Sequence, residues 1–436
     1  MDEVAQQIIS ALRLGSVPSI GLNRLSVGRD RQLSEIETQL SEVLKGKSAL
    51  KFVSGNFGSG KSFFCATVRE CAFDKGFAVS TVVISPDTPL AKFDVIVGKV
   101  FDSIRLPDKR TSCALSDLLE KWFHNLMKKI AALEGMKLDD PKSIADISKR
   151  VLPKIVDELS AVHGLDASFV NAVNGYMQAK IQRDSVLAND ALGWLKANTN
   201  LSGNRKHKLG VRGNLSPLVA LNFIKGLLHI IRGSGYKGLL LVIDEIETVQ
   251  RLPNERQRLN SYESLRVLVD QVAEDSLSGL MLVLTGTPKL LEDRRFGIPS
   301  YEPLKQRLEQ MSFPDGRSSL RQPVITLNGF GKTELIEVAT KVRNIHSNAL
   351  NWQADKKLSI DQLNHLVDVA VNAFGGEVER TPRSFLREVV HICDMLHEHP
   401  SLSMEEYFKD DGAVARRLNP HNSDANSDSA LTNLGS

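Results

Sequence analysis

The residues at 55–62 have the types and spacing of a phosphate-binding loop. They read Gly-Asn-Phe-Gly-Ser-Gly-Lys-Ser and match the pattern G-x-x-x-x-G-K-[ST] at each fixed position. Glycines let successive backbone N–H groups turn toward one centre, and the helix that begins there adds its positive end. In such a loop the lysine pairs with the β and γ phosphates of a nucleotide, and the final hydroxyl is offered to Mg²⁺. The predicted cofactor-binding residues are Gly55, Asn56, Phe57, Gly58, Ser59, Gly60, Lys61 and Ser62.

A second group of candidate residues follows the apolar run GLLLVIDE at 238–245, which ends in two carboxylates. Ligands of open α/β sheets gather at the carboxyl ends of the strands, so we predict that Asp244 holds Mg²⁺ through water. Glu245 is placed to orient and polarise the attacking water, whereas Glu247 reads as a solvated residue at a helix start. The alternative is that these acids cap the following helix. Together with the phosphate loop, the pair favours phosphoryl transfer.

Two further positions are candidates for contact with the nucleotide. Thr285 ends a predicted strand at 279–286, where its hydroxyl would bind the attacking water or the γ-phosphate; Thr287 is the second choice. The alternative for both is a turn hydroxyl. Arg383 lies in the first turn of a predicted helix, where an arginine opposes the helix dipole and therefore favours an anion partner. A solvated arginine is the open alternative.

An arginine finger is expected among the arginines that precede the last predicted strand. Arg307 is the first candidate, because its helix leads directly into that strand. Arg294 and Arg295 lie in the loop before it and are the next candidates. The alternative for each of the three is simple exposure to solvent, which is the commoner state of such an arginine.

The elements that must position these residues are strands and helices in alternation, which is typical of a parallel α/β sheet covered on both faces. The predicted strands are 49–54, 77–85, 238–244, 279–286 and 323–327. No strand is predicted between about 88 and 235, where apolar residues recur at helical spacing. Only helices are predicted after 331.

Composition excludes several classes of protein. The chain has 436 residues, and its 55 basic and 52 acidic side chains leave a net charge of +3, which excludes a uniformly basic protein. Its four cysteines form no C-x-x-C pair, so neither a zinc ribbon nor a disulfide framework is indicated. No apolar run approaches the ~20 residues needed to span a bilayer, and the start is polar. We therefore expect a cytoplasmic protein without a membrane contact.

One window of the sequence is locally basic. Residues 191–243 contain no acidic residue and eight lysines or arginines. Within it Arg205, Lys206 and Lys208 are flanked by glycines and predict a flexible basic loop that contacts the phosphate backbone of duplex DNA. The alternatives are a solvated loop and a patch for an acidic protein partner.

The order of these motifs resembles that of AAA+ ATPases of the initiator-like branch, and more closely that of the ATP-binding proteins of BREX-type phage-defence systems. The resemblance covers roughly residues 20–400. It is carried by the stretches GLNRLSVGRDRQL (21–33), FVSGNFGSGKSFF (52–64), GYKGLLLVIDEIETVQRLP (235–253), LVLTGTP (282–288), PLKQRL (303–308) and RTPRSFLREVV (380–390). It implies binding of ATP and Mg²⁺, hydrolysis coupled to lid movement, assembly into a homo-oligomer, and action beside other defence proteins on foreign DNA.

The predicted fold is therefore an α/β AAA+ P-loop NTPase with a parallel sheet, a large helical insertion and a C-terminal helical lid. The predicted divisions are an N-terminal segment at 1–26, a nucleotide-binding core at 27–330 with the insertion at 88–235, a lid at 331–410 and a disordered tail at 411–436. The predicted function is Mg²⁺-dependent ATP hydrolysis in prokaryotic antiphage defence, on or near DNA. The alternative is an ATP-dependent switch or loader that assembles with partner proteins and hydrolyses rarely.

Overall fold

The structure, a computed structural model, describes residues 2–136, 138, 141–198, 200–215, 217–311, 317–373 and 382–418. The chain forms two compact units. We call Glu35–Val53 with Cys71–Ile325 the sheet unit, and the described residues of Met1–Ser34, Ser54–Glu70 and Thr326–Ser436 the lid unit.

The sheet has five strands in the order β2-β3-β4-β1-β5. The strands are β1 (Ala49–Ser54), β2 (Ala78–Val83), β3 (Leu239–Asp244), β4 (Leu280–Gly286) and β5 (Val324–Thr326). β3 pairs in parallel with β2 on one side and with β4 on the other. The continuous apolar runs of β3 and β4 are buried on both faces, as expected for central parallel strands. The prediction of an α/β fold built on a parallel sheet is confirmed.

Helices make up most of the remaining chain. In chain order they are α1 (Glu3–Arg13), α2 (Asp30–Leu44), α3 (Lys61–Asp74), α4 (Phe93–Ser103), α5 (Leu115–Glu134), α6 (Pro141–Ser160), α7 (Ala167–Gln182), α8 (Ser185–Leu195), α9 (Gly203–Lys208), α10 (Pro217–Gly233), α11 (Glu255–Ala273), α12 (Pro288–Glu292), α13 (Glu302–Leu308), α14 (Lys332–Leu350), α15 (Ile360–Ala373), α16 (Pro382–Glu398), α17 (Met404–Tyr407) and α18 (Asp411–Leu418). Within the described part of the chain, none of them combines the length and apolar character needed to cross a bilayer.

The long segment between β2 and β3 consists of helices α4 to α10, and its described residues include no strand, in line with the sequence. Its apolar stripes face inward. Trp122 is fully buried, and the rings of Phe169 and Phe223 meet edge to face at 4.9 Å. These residues belong to the same apolar core as Leu241 and Ile243 of β3. The insertion therefore contributes directly to the core that supports the acidic strand.

The lid unit has its own apolar core, built from α14, α15, α16, α18 and the N-terminal helix α1. α1 packs against α14 and α16, and Arg13 at its end donates two hydrogen bonds to the Asp394 carboxylate, at 2.8 and 2.7 Å. The segment predicted as a separate N-terminal piece thus forms part of this core.

The C-terminal region departs from the disordered tail predicted from residue 411. Asp411–Leu418 forms helix α18, whose Val414 is fully buried in the lid core. Burial of this apolar side chain stabilises the helix, and the gain opposes the conformational entropy that the segment loses when it becomes ordered. The rest of the predicted tail, 419–436, lies outside the described residues.

A buried lysine fixes one edge of the sheet unit. Lys51 on β1 is 1% exposed, and its ammonium lies 2.9 Å from the Glu35 carboxylate. The same ammonium donates to the carbonyl oxygens of Leu320, at 2.6 Å, and Gln322, at 2.9 Å. One side chain therefore ties α2 and β1 to the segment that enters β5.

We expect Lys51→Ala to lower the free energy of unfolding by about 3 kcal/mol, because it leaves the largely buried Glu35 carboxylate without its cation. Lys45→Ala is the matched control: its ammonium pairs with Glu42 at the surface, and its loss should lower the free energy of unfolding far less. Denaturant unfolding followed by circular dichroism measures both. Equal effects of the two substitutions would contradict the assignment.

Candidate active site

The phosphate loop belongs to the lid unit and connects β1 to α3. Gly58 and Gly60 adopt φ angles of +89° and +88°, a left-handed conformation that glycine reaches at little cost. A Cβ on Gly60 would meet nothing within 4 Å, so the backbone angle, and not space, requires glycine there. A Cβ on Gly55, by contrast, would lie 2.3 Å from the Ser59 hydroxyl oxygen.

The Lys61 ammonium turns back onto its own loop. It donates to the carbonyl oxygens of Gly55, at 2.6 Å, and Asn56, at 3.2 Å, and lies 5.3 Å from the ring centre of Phe57. Lys61 also begins α3, a helix of 14 residues whose first N–H groups have no acceptor within the helix. Ser62 is exposed in that first turn. A mobile cation, helix N–H groups and an exposed hydroxyl fit the phosphates of a nucleotide and its Mg²⁺.

The acidic group belongs to the sheet unit, where β3 and β4 lie side by side. Oδ1 of Asp244, the last residue of β3, accepts hydrogen bonds from the Thr285 hydroxyl and from the Glu245 N–H, at 3.0 Å. Thr285 is fully buried, and its oxygen accepts from the same Glu245 N–H at 3.2 Å. The hydroxyl predicted to face water or phosphate is thus engaged with Asp244, where it fixes the orientation of the carboxylate.

The backbone of Glu245 has φ +61° and ψ +39°, a left-handed conformation in a residue other than glycine. Such a conformation costs of order 1 kcal/mol and persists only where the surroundings hold it; here the bonds to Asp244 and Thr285 do so. The side chain of Glu245 is exposed at this turn. Its position suits a base that acts on a water at the end of the strand.

The prediction that Glu247 is solvated is wrong, since the residue is only 7% exposed. The left-handed turn at Glu245 leads straight into the 3₁₀ helix Ile246–Arg251, which buries Ile246, Glu247 and Val249 together. A helix that began at the surface would have left the Glu247 carboxylate in water. No sequence pattern predicts the left-handed turn at Glu245 that buries it instead.

A family model decides what kind of protein carries these residues. The model described as BREX system ATP-binding protein BrxC/D matches residues 2–411. The chain belongs to this family. The resemblance to BREX ATP-binding proteins, predicted from the motif stretches, is therefore confirmed, and with it a place among ATP-binding proteins.

Other comparisons add little. A solved structure of Drosophila ORC bound to DNA is similar at 10% sequence identity and a TM-score of 0.41, over 93% of this chain and 70% of that one. A likeness at this level carries no inference. No curated protein matches the chain.

In this member of the BrxC/D family the predicted arginine finger is held by an acid. The Arg307 guanidinium forms a two-pronged pair with Asp270 of α11, in which Nη2 lies 3.1 Å from Oδ2. Asp270 also accepts from Arg266 on its own helix. Of the other two candidates, Arg295 lies over the Phe296 ring at 4.9 Å, and Arg294 is exposed.

Arg383 is exposed in the first turn of α16, on the same helix as predicted. Its aliphatic carbons lie beside Gly15, at 3.8 Å from the position of a Cβ there. The predicted N-cap, Thr381, lies outside the described residues. Thr287, the second choice for the polar contact, is buried at the N-terminus of α12.

The prediction of a flexible basic loop around Arg205 is wrong, because Gly203–Lys208 forms helix α9. Ser202 caps the helix by accepting from the Arg205 N–H, and the Arg205 guanidinium pairs with Asp190 at 3.0 Å. Lys206 donates to the Asn214 side chain at 2.7 Å. Lys208 and Arg212 are exposed beside them.

Sequence reasoning assigned no role to Arg29. The residue is 8% exposed in the lid unit and donates to the carbonyl oxygen of Ser59 in the phosphate loop, at 3.0 Å. The available signal was the Gly28-Arg29 pair directly before a helix, inside one of the stretches that resemble the family.

Thr285→Val keeps the shape of the side chain but removes the donor that orients Asp244. We expect the affinity for Mg²⁺–ATP to fall about tenfold, the usual cost of losing a partner that orients a metal ligand. Affinity for ATP in EDTA should not change, since the phosphate loop is untouched, and Thr285→Ser should restore the loss. Isothermal titration measures all three, and an equal loss with and without Mg²⁺ would refute the role.

Proposed function

We propose that this BrxC/D family protein binds Mg²⁺–ATP and hydrolyses it as part of a BREX antiphage system. The observation that carries the proposal is the arrangement at the end of β3. There the Asp244 carboxylate is held by the Thr285 hydroxyl and by the Glu245 N–H, and the Glu245 side chain is exposed. The chain also carries a complete phosphate loop with the glycine conformations that such a loop needs.

Each residue has a distinct role in the proposed reaction. Lys61 exchanges its two loop carbonyls for the β and γ phosphates, and the N–H groups at the start of α3 surround them. Ser62 and Asp244 hold Mg²⁺, which neutralises charge on the phosphate oxygens when bound. Glu245 accepts a proton from the attacking water, and Thr285 keeps Asp244 oriented for the metal. Arg383 is the candidate for a further contact with the phosphates.

A homo-oligomer would complete the site with an arginine from a second copy. We propose Arg307 for this finger, with Arg294 and Arg295 as alternatives. To reach a neighbouring nucleotide, Arg307 has to leave Asp270, to which it is paired. An arginine finger is typically worth about 10³–10⁵ in rate, so a chain with its finger paired would turn over slowly.

That pairing also favours the second candidate function, an ATP-dependent switch or loader that hydrolyses rarely. In such a protein the nucleotide would control assembly with partner proteins, and release of Arg307 from Asp270 would set the slow rate. Turnover that rises steeply with protein concentration supports the ATPase, whereas ATP-dependent assembly with little turnover supports the switch.

For the basic window we propose contact with duplex DNA through its exposed cations. Arg205 is paired with Asp190, whose side chain is 9% exposed, and therefore serves mainly to hold α9 in place. Lys208 and Arg212 are exposed beside it and would supply the charge that meets phosphates.

Substitutions in the two motifs should separate binding from hydrolysis. Lys61→Ala should abolish ATP binding, since it removes the cation that faces the phosphates. Glu245→Gln should bind ATP normally but lose at least about 100-fold in rate, because an amide cannot accept the proton. Glu255→Gln, the same change at an exposed residue, is the control. Fluorescent-ATP binding and phosphate release measure these; wild-type turnover by Glu245→Gln would overturn the assignment.

Replacing Lys208 and Arg212 by Ala should weaken duplex DNA binding and reduce the slope of log K against log salt by about 2, since two fewer phosphates are neutralised. The control is the double substitution Lys128→Ala with Lys149→Ala, which removes the same charge from exposed positions outside the window. Fluorescence anisotropy over a salt series measures the slopes. Identical slopes for both doubles and the wild type would favour a protein partner instead.

A further inference from the structure

Arg29 is a buried cation of the lid unit. One nitrogen of its guanidinium, Nη2, donates both to the carbonyl oxygen of Ser59, at 3.0 Å, and to that of Asn328. Arginine stays charged in proteins, and burying it is costly unless its donors are satisfied. Two backbone acceptors satisfy this nitrogen, so the contact is a specific one.

The two acceptors belong to segments with different roles. Ser59 lies two residues before Lys61, within the phosphate loop. Asn328 lies between β5 and Lys332, where α14 begins. The two segments also meet directly: the Leu327 N–H donates to the Ser54 carbonyl oxygen at 2.7 Å, and a Cβ on Gly55 would lie 3.0 Å from the Leu327 oxygen.

The guanidinium also lies near the residues that precede and begin α14. Its central carbon lies 5.4 Å from the ring centre of Phe330, and Glu334 adds a favourable charge, whereas burial lowers the pKa of Arg29. Glu334 in turn accepts from the Gly331 N–H at 2.9 Å and so caps α14. The cation therefore lies near the residues that set how this helix begins.

A second bond anchors the same N-terminal stretch farther along α14. The Lys341 ammonium donates to the Ser26 carbonyl oxygen at 2.6 Å. The stretch from Ser26 to Arg29 is thus bonded to α14 through Lys341, to the segment before α14 through Asn328, and to the phosphate loop through Ser59.

We propose that Arg29 is a positioning residue that couples the conformation of the phosphate loop to helix α14. Through α14 it transmits nucleotide occupancy to the helices of the lid core. The proposal rests on the proposed nucleotide binding. A phosphate competes for Lys61, which now bonds the carbonyls of Gly55 and Asn56, and for the N–H groups that follow Ser59. If the peptide at Ser59 rotates, its hydrogen bond from Nη2 of Arg29 changes. Because Nη2 also donates to the Asn328 carbonyl oxygen, that second hydrogen bond changes with it. A ligand can shift the conformation of a second element only if it favours one of the two conformations over the other, and these linked hydrogen bonds provide that difference.

Hydrogen–deuterium exchange of the full-length chain tests this, with and without a non-hydrolysable Mg²⁺–ATP analogue. In the wild type the analogue should slow exchange both at 55–64 and at 332–345, the latter by about fivefold or more, the scale of a typical coupling. Arg29→Gln should keep the slowing at 55–64 at saturating analogue but lose it at 332–345. Arg24→Gln, an exposed arginine in the same stretch that pairs with Asp2, should behave as the wild type.

Phe330→Leu provides a second variant, since it weakens the contact of Arg29 on the α14 side and leaves the loop sequence intact. Phe330→Leu should also reduce the slowing of exchange at 332–345. If Arg29→Gln does not fold, Phe330→Leu tests the coupling by itself. Slowing at 332–345 that survives in both variants would overturn the coupling. Loss at 55–64 in Arg29→Gln at every analogue concentration would make Arg29 a direct nucleotide contact instead. No slowing at 55–64 in the wild type would refute nucleotide binding itself, which is a separate failure.

Discussion

The hydrogen bond from Thr285 to Asp244 is the interaction on which the proposed chemistry of the sheet unit depends. It exists because β3 and β4 run parallel in a register that places Ile243 opposite Leu284, so that the next residues of the two strands are neighbours. A slip of one residue would turn Thr285 to the other face of the sheet. The apolar residues that surround Thr285 on both strands fix this register, and the helical insertion supplies much of the core behind them. The insertion is thus part of what holds the acidic strand, whatever else it does.

The lid unit shows a different way of holding functional groups. Its phosphate loop depends on left-handed glycines and on a buried guanidinium that donates to loop and lid segments together. An arginine suits this position because its donors are fixed in a plane, whereas a lysine offers a single point charge on a flexible stem. The N-terminal helix α1 belongs to the same core, so the beginning of the chain helps to support the lid.

Much of this arrangement could be predicted from the sequence, because the signals are local. The phosphate loop and the strands that flank it are encoded by glycine spacing and by continuous apolar runs. The errors arise at features that no local sequence pattern shows, some of them formed by neighbouring residues and some by residues distant in the sequence. Helix α9 forms where glycines predicted a loop, since Ser202 caps it and Asp190 pairs with Arg205. Glu247 is buried by a left-handed turn that no pattern marks, and α18 is stabilised by burial of Val414. Arg29 carries no local signal for its partners, which lie 30 and 299 residues away.

Phosphate release by the wild-type chain at saturating ATP, measured with Mg²⁺ and with EDTA over a range of protein concentrations, tests the central claim most directly. We expect turnover only with Mg²⁺, at a rate per chain that rises with concentration as Arg307 leaves Asp270 for a second copy. Turnover that persists in EDTA would contradict the role of Asp244. ATP binding without any turnover, at every concentration, would contradict the role of Glu245 as a base and leave the protein a nucleotide-dependent switch.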